Sequence, residues 1–250
     1  MSASWVSVIV FACVFAGAVA GMALRRILPE QHRSAESKDI VRAGTGLIAT
    51  ISALVLGLLV ASAKEAYDTQ KDEVTAQAAK TALLDRLLAH YGPETKTARE
   101  ALRAAVSLEL QRVWSEGPTT RIEAKEAPEG EALYDAIQEL TPSNESQRGI
   151  KAQASQLVME LGQTRWLMEA QKSHTTNWPL LVVVVFWLTI NFVSFGMFAP
   201  SNATVITTLF VCAVSVAGAV FLILEMGEPY RGVIRISDAP MRALLQKLGP

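Results

Sequence analysis

Three stretches of the chain contain no Asp, Glu, Lys or Arg: residues 1–24, 43–63 and 173–224. A soluble chain scatters its charges through lengths like these. A bilayer core about 30 Å thick is crossed by roughly 20 apolar residues in a helix. The first two stretches therefore predict one span each, at about 5–24 and 44–63. The third predicts two, at about 178–198 and 203–224. The expected fold class is an all-α membrane protein with four transmembrane helices and a helical soluble domain inserted between the second and third. The expected division is residues 1–63 for the first two spans, 64–176 for the insert, 177–224 for the last two spans and 225–250 for a tail with a short helix.

Local signals refine these elements. The first span has an Ala18-Val19-Ala20 sequence that imitates a leader cleavage site. However, no Lys or Arg precedes it and the apolar run is long, so a retained helix is expected. Gly17 and Gly21 form a GxxxG pair that lets another helix approach closely. After Gly57 no Gly or Pro occurs until Gly92, so the second span is expected to continue past Lys64 to Tyr91 as a rod of about 70 Å. Asn177-Trp178-Pro179 supplies an N-cap, an interface anchor and a first-turn proline for the third span. Pro200-Ser201-Asn202 makes a turn short enough to force the last two spans to be antiparallel neighbours.

The insert carries 14 basic and 18 acidic residues and reads as helical. Val74, Ala78, Thr81, Leu84, Leu88 and Tyr91 share one helical face, and Gly92-Pro93 ends it. Ala98, Leu102, Val106, Leu110 and Val113 share a second, ended by Gly117-Pro118. The polar run 119–130 is expected to be a loop and Glu131–Leu140 a short helix. A fourth helix starts at Thr141-Pro142-Ser143, with Ile150, Ala154, Leu157, Leu161 and Met168 on one side. Such stripes build a helical core or pack between subunits.

Composition changes the picture by exclusion. The net charge of −1 and the lack of a basic stripe argue against a nucleic-acid partner. Cys13 and Cys212 fall inside predicted spans as packing residues, and His32, His90 and His174 lack neighbours at ligand spacing, so no metal site and no cofactor are expected. No ionisable residue sits mid-span and no nucleophile–base grouping is suggested; an enzyme is not expected. The first loop, Arg25 to Arg42, has five basic and three acidic residues. Eight basic residues spread over longer flanks face the other way, so charge counting leaves the orientation open.

The segment after the fourth span is less uniform. Glu225, Pro229, Arg231, Gly232 and Arg235 lie in a membrane exit, a Pro-Tyr-Arg-Gly turn and an Ile-Arg-Ile run. Gly232 suits a positive φ. Ser237 or Asp238 is expected to cap a final helix with Pro240 in its first turn. The two arginines are placed to meet lipid phosphates, acidic residues of the insert or an anion, with snorkelling at the span end the leading structural use.

These residues resemble the bacterial DUF4239 family, also called bestrophin-like, over nearly the whole chain. The resemblance is carried by Gly44-Thr45-Gly46-Leu47-Ile48-Ala49-Thr50, Ala66-Tyr67-Asp68, the segment from Leu84 to Pro93, Trp114 and the Glu-Pro-Tyr-Arg-Gly-Val-Ile-Arg-Ile tail. Glu225-Met226-Gly227-Glu228-Pro229 stands where many relatives carry Asp-Leu-Asp-Arg-Pro. The resemblance implies likeness to bestrophins, pentameric anion channels whose second span lines the pore and extends into the cytosolic domain. It also implies a bacterial inner-membrane location with the insert and both termini cytoplasmic. The insert is shorter than a bestrophin cytosolic region, and no Ca²⁺ clasp is recognisable. The expected function is a homo-oligomeric ion channel, with Leu54, Leu58 and Ala61 lining an apolar pore gated by wetting. The alternatives for that face are lipid or another helix. The alternative function is a membrane-anchored interaction or sensor module in which the insert binds a partner.

Overall fold

A computed structural model describes residues 2–27, 35–114, 128–171, 177–200, 202–230 and 232–248. Among them every regular element is helical: α1 (Ala3–Ile27), α2 (Ala35–Tyr91), a 3₁₀ turn (Pro93–Thr95), α3 (Lys96–Trp114), α4 (Pro128–Gln138), α5 (Glu145–Gln171), α6 (Trp178–Phe198), α7 (Ala203–Met226) and α8 (Ala239–Lys247). Four helices, α1, α2, α6 and α7, are long and apolar enough to cross a bilayer. The chain falls into two compact units, one of residues 1–67 and 175–228, the other of 68–174 and 229–250. The helix α2 contributes to both.

The expected elements are present, with shifted ends. α1, α2 and α7 overrun their apolar runs because charge ends the hydrocarbon, not the helix; α2 begins at Ala35, ahead of Lys38, Asp39 and Arg42. α2 also continues unbroken to Tyr91. Asn177 occupies the N-cap of α6, but its side chain makes no capping hydrogen bond. Asn202, read only as a turn residue, does cap: its Oδ1 accepts from the Val205 N–H at 2.9 Å. α4 starts at Pro128 and α5 at Glu145. The turns at 117–118 and most of the polar run 119–130 lie outside the described residues, as does Met168's side chain.

In the first unit, Val6, Val10, Val14, Gly17, Ala18 and Gly21 recur every three or four residues along the buried face of α1. This face packs on α6 and α7. The GxxxG pair serves α6: a Cβ on Gly21 would meet the Val193 carbonyl oxygen and lie 2.9 Å from the Met197 nitrogen. From the other side, a Cβ on Gly196 would meet the Ala18 carbonyl oxygen. Backbone touches backbone here, which only glycine permits. On α2, Leu59 and Ala63 join the same apolar cluster, and Ser52 is fully buried. Several hydroxyls in these helices are satisfied locally: Ser52 donates to Ile48 O at 2.7 Å and Thr189 to Val185 O at 2.8 Å. For these two groups that meets the demand that hydrocarbon places on polar atoms.

In the second unit, Val74, Ala78, Thr81, Leu84, Leu88 and Tyr91 are all buried, as their spacing requires. Ala98, Leu102 and Val106 of α3 are buried, whereas Leu110 and Val113 are half-buried. α5 buries Ala154 and Val158 and leaves Leu157 half-buried, a rotation of one residue. The turn between α2 and α3 depends on Gly92 at φ 136 and on the buried Thr95, whose hydroxyl lies 2.7 Å from Leu88 O. The Arg99 guanidinium spans to Asp85 at 2.8 Å and 3.3 Å. This pair is only 20% and 13% exposed.

Candidate functional sites

The outer face of α2 carries the first candidate. Over its most apolar window α2 is 11% buried, against 39%, 33% and 28% for α1, α6 and α7. One side of the helix packs inward through Ser52, Leu59 and Ala63. The opposite side presents Leu54, 66% exposed, Leu58, 61% exposed, and the exposed Ala61. Their spacing of four and three places the expected pore residues on one face of a single helix. Gly57 lies between them, and no neighbouring atom lies within 4 Å of the position a Cβ would take. This is an uncharged, exposed surface with open space at Gly57.

The tail is the second candidate. Its residues divide between the two units. Glu225 is buried at the end of α7 in the first unit and has an interaction partner. Pro229, Gly232 and Arg235 belong to the second unit, where the segment folds into a closed loop. The Ile236 N–H donates to Pro229 O at 2.7 Å, and the Trp114 indole N–H donates to Ile236 O at 2.8 Å. Gly232 takes φ 88, the left-handed conformation expected of it. Pro229 is buried; Arg235 is exposed and engaged in an interaction. Arg231 lies outside the described residues. Ser237 Oγ accepts the Ala239 N–H at 3.2 Å, while the Asp238 carboxylate turns to Arg242.

Sequence reasoning missed Tyr230 as a partner for Trp114. Their rings meet edge to face at 5.7 Å and 88°. Burial, reinforced by the negative charges of Glu73 and Glu109, pushes the Tyr230 phenol up to about 12. Trp114 is the visible signal, since a half-buried indole N–H favours an acceptor. Sequence reasoning also passed over Asn191, a buried amide inside α6. Its Nδ2 donates to Trp187 O at 3.0 Å, and its Oδ1 has no hydrogen-bond partner among the described residues. Among the described residues no group of three or more His, Cys, Asp or Glu side chains is placed to hold a metal ion.

Four apolar helices long enough to span a bilayer and an otherwise helical chain define a multi-span, all-α membrane protein. The family model of the Bestrophin-like domain matches residues 12–241, and the chain belongs to that family. No match was found among curated proteins, nor among solved structures.

Proposed function

We propose that the protein is a homo-oligomeric ion channel, with the exposed face of α2 turned toward the pore. The observation that carries this reading is the exposed, uncharged stripe of Leu54, Leu58 and Ala61 on the least buried of the four candidate spans. Membership of a bestrophin-like family supports it, since bestrophin likeness implies an oligomeric channel and, by the same likeness, passage of anions. The physical mechanism is dewetting. Leucine rings narrow an apolar pore until water leaves, and an ion cannot cross the dry zone without losing its hydration. Opening is then a change in width or polarity at Leu54 and Leu58, and no covalent chemistry is assigned to the chain.

Purified protein in planar bilayers, with assembly mass measured in parallel, tests this. The mass is expected as a multiple of 27.0 kDa, and Leu58→Ser is expected to raise conductance by wetting the constriction. Electrical silence across salts and voltages from a verified oligomer would refute the channel. A monomer that co-purifies with a soluble partner would favour the anchored interaction module instead.

A further inference from the structure

A groove of about 330 Å³ runs between α2 and α6 in the first unit, lined by Arg42, Gly46 and Ala49 on one side and Phe195, Phe198 and Ala199 on the other. We propose that it binds one acyl chain of an anionic phospholipid, with the phosphate held at the mouth by Arg42. This site is separate from the Leu54–Leu58–Ala61 face and does not rest on the channel reading.

Position comes first. Arg42 is the last charged residue before the uncharged stretch 43–63. The mouth therefore lies at the polar boundary and the floor in hydrocarbon. From Arg42 to Ala49 the helix rises about 10 Å, within the roughly 15 Å of one leaflet's hydrocarbon. A lipid chain entering from the headgroup level follows this path.

Chemistry points the same way. The lining is mainly phenyl rings and small aliphatic groups, with Thr45 and Ser194 as its hydroxyl side chains. Thr45, which also lines the groove, has its hydroxyl on Val41 O at 2.8 Å. The Ala199 carbonyl accepts from the Arg25 guanidinium. Both groups are thus engaged within the protein, which leaves the buried Ser194 as one further hydroxyl on the α6 wall. Nothing lies within 4 Å of the position a Cβ would take on Gly46, so the α2 wall is notched where a chain would lie.

Charge completes the site. Arg42 lines the groove, and the Arg25 guanidinium is held on the Ala199 carbonyl of the α6 wall. The Arg42 side chain is exposed and has no ion-pair partner among the described residues. A phosphate is the anion available at that depth, and guanidinium matches it with paired donors.

Native mass spectrometry on protein from nanodiscs of phosphatidylglycerol or phosphatidylcholine tests the assignment. One retained phosphatidylglycerol per chain is expected, preferred over phosphatidylcholine by about fivefold if one basic contact contributes about 1 kcal/mol. Arg42→Gln is expected to abolish that preference while leaving phosphatidylcholine retention unchanged. Gly46→Leu, whose Cβ meets nothing within 4 Å, is expected to lower retention of both lipids. An excess of inorganic phosphate should not displace the lipid; displacement would assign the arginines to free phosphate and overturn the proposal. Retention unaffected by both substitutions would also overturn it. So would a change of assembly mass in Gly46→Leu, which would place a second copy of the chain in the groove.

Discussion

Replacing Gly21 by alanine adds one methyl group where the backbones of α1 and α6 touch. That methyl would collide with the Val193 carbonyl oxygen, sit 2.9 Å from both the Val193 carbonyl carbon and the Met197 nitrogen, and have no flexible side chain to push aside. The helices must part, which loosens Val14, Ala18 and Phe192 in the surrounding core. Overpacking of this kind costs about 1–3 kcal/mol. Alanine also returns up to about 1 kcal/mol of helix propensity, which partly masks the loss. Gly218→Ala supplies the control, because that position has nothing within 4 Å and its α7 backbone is equally helical. The propensity gain cancels between the two variants, so Gly21→Ala should fall below Gly218→Ala by about 1–3 kcal/mol. Gly17→Ala should lie between them: its nearest contact, at 3.0 Å, is the Thr189 methyl, although the Thr189 carbonyl follows at 3.2 Å. Unfolding of the three variants in one detergent, followed by tryptophan fluorescence, gives the order. Gly21→Ala at or above Gly218→Ala in stability would refute the backbone-contact account of the GxxxG pair.

Three further outcomes follow from the second unit. Asp85→Ala leaves the largely buried Arg99 guanidinium without its carboxylate and should destabilise by about 2–4 kcal/mol, read by denaturant unfolding of the full chain; Arg99→Ala should cost a similar amount. Trp114→Phe keeps a ring against Tyr230 but removes the donor to Ile236 O, and a loss of about 1–2 kcal/mol with earlier proteolysis of the 229–238 loop is expected. The Tyr230 phenol should titrate near pH 12 when absorbance at ~295 nm is compared between wild type and Tyr230→Phe. Because the folded state holds this proton more tightly than the unfolded chain, its stabilisation is whole below pH 10 and disappears as pH rises through about 12; a phenol titrating at 10 would contradict the burial described.

Most of the helical architecture was legible from charge-free runs and from glycine and proline punctuation, because both act locally. Leu84 and Leu88 are fully buried where their periodicity put them. The GxxxG pair announced a close approach, but not that Thr189, Val193 and Met197 of α6 are what it meets. Pairings between distant segments leave no local trace. Trp114 and Ile236 are 122 positions apart, and nothing in either neighbourhood names the other. The same holds for Asp85 and Arg99, two charges among many in a helical stretch. Capping by Asn202 but not by Asn177 depends on backbone angles that residue type alone does not set. For the candidate sites, the face shared by Leu54, Leu58 and Ala61 was readable at helical spacing. The groove beside Arg42 was not, since it needs α6 alongside.

Ile236, Met241, Leu244 and Leu248 are buried in the same unit as Leu84 and Leu102. During synthesis the ribosome makes α3 to α5 first, then two membrane spans, and only afterwards the strand of chain that completes their core. At translation speeds of ~5–20 residues per second, the half-built domain waits several seconds with apolar surface uncovered. The second hairpin is thus synthesised before the domain can close, and a nascent chain paused between the two steps keeps that apolar surface exposed.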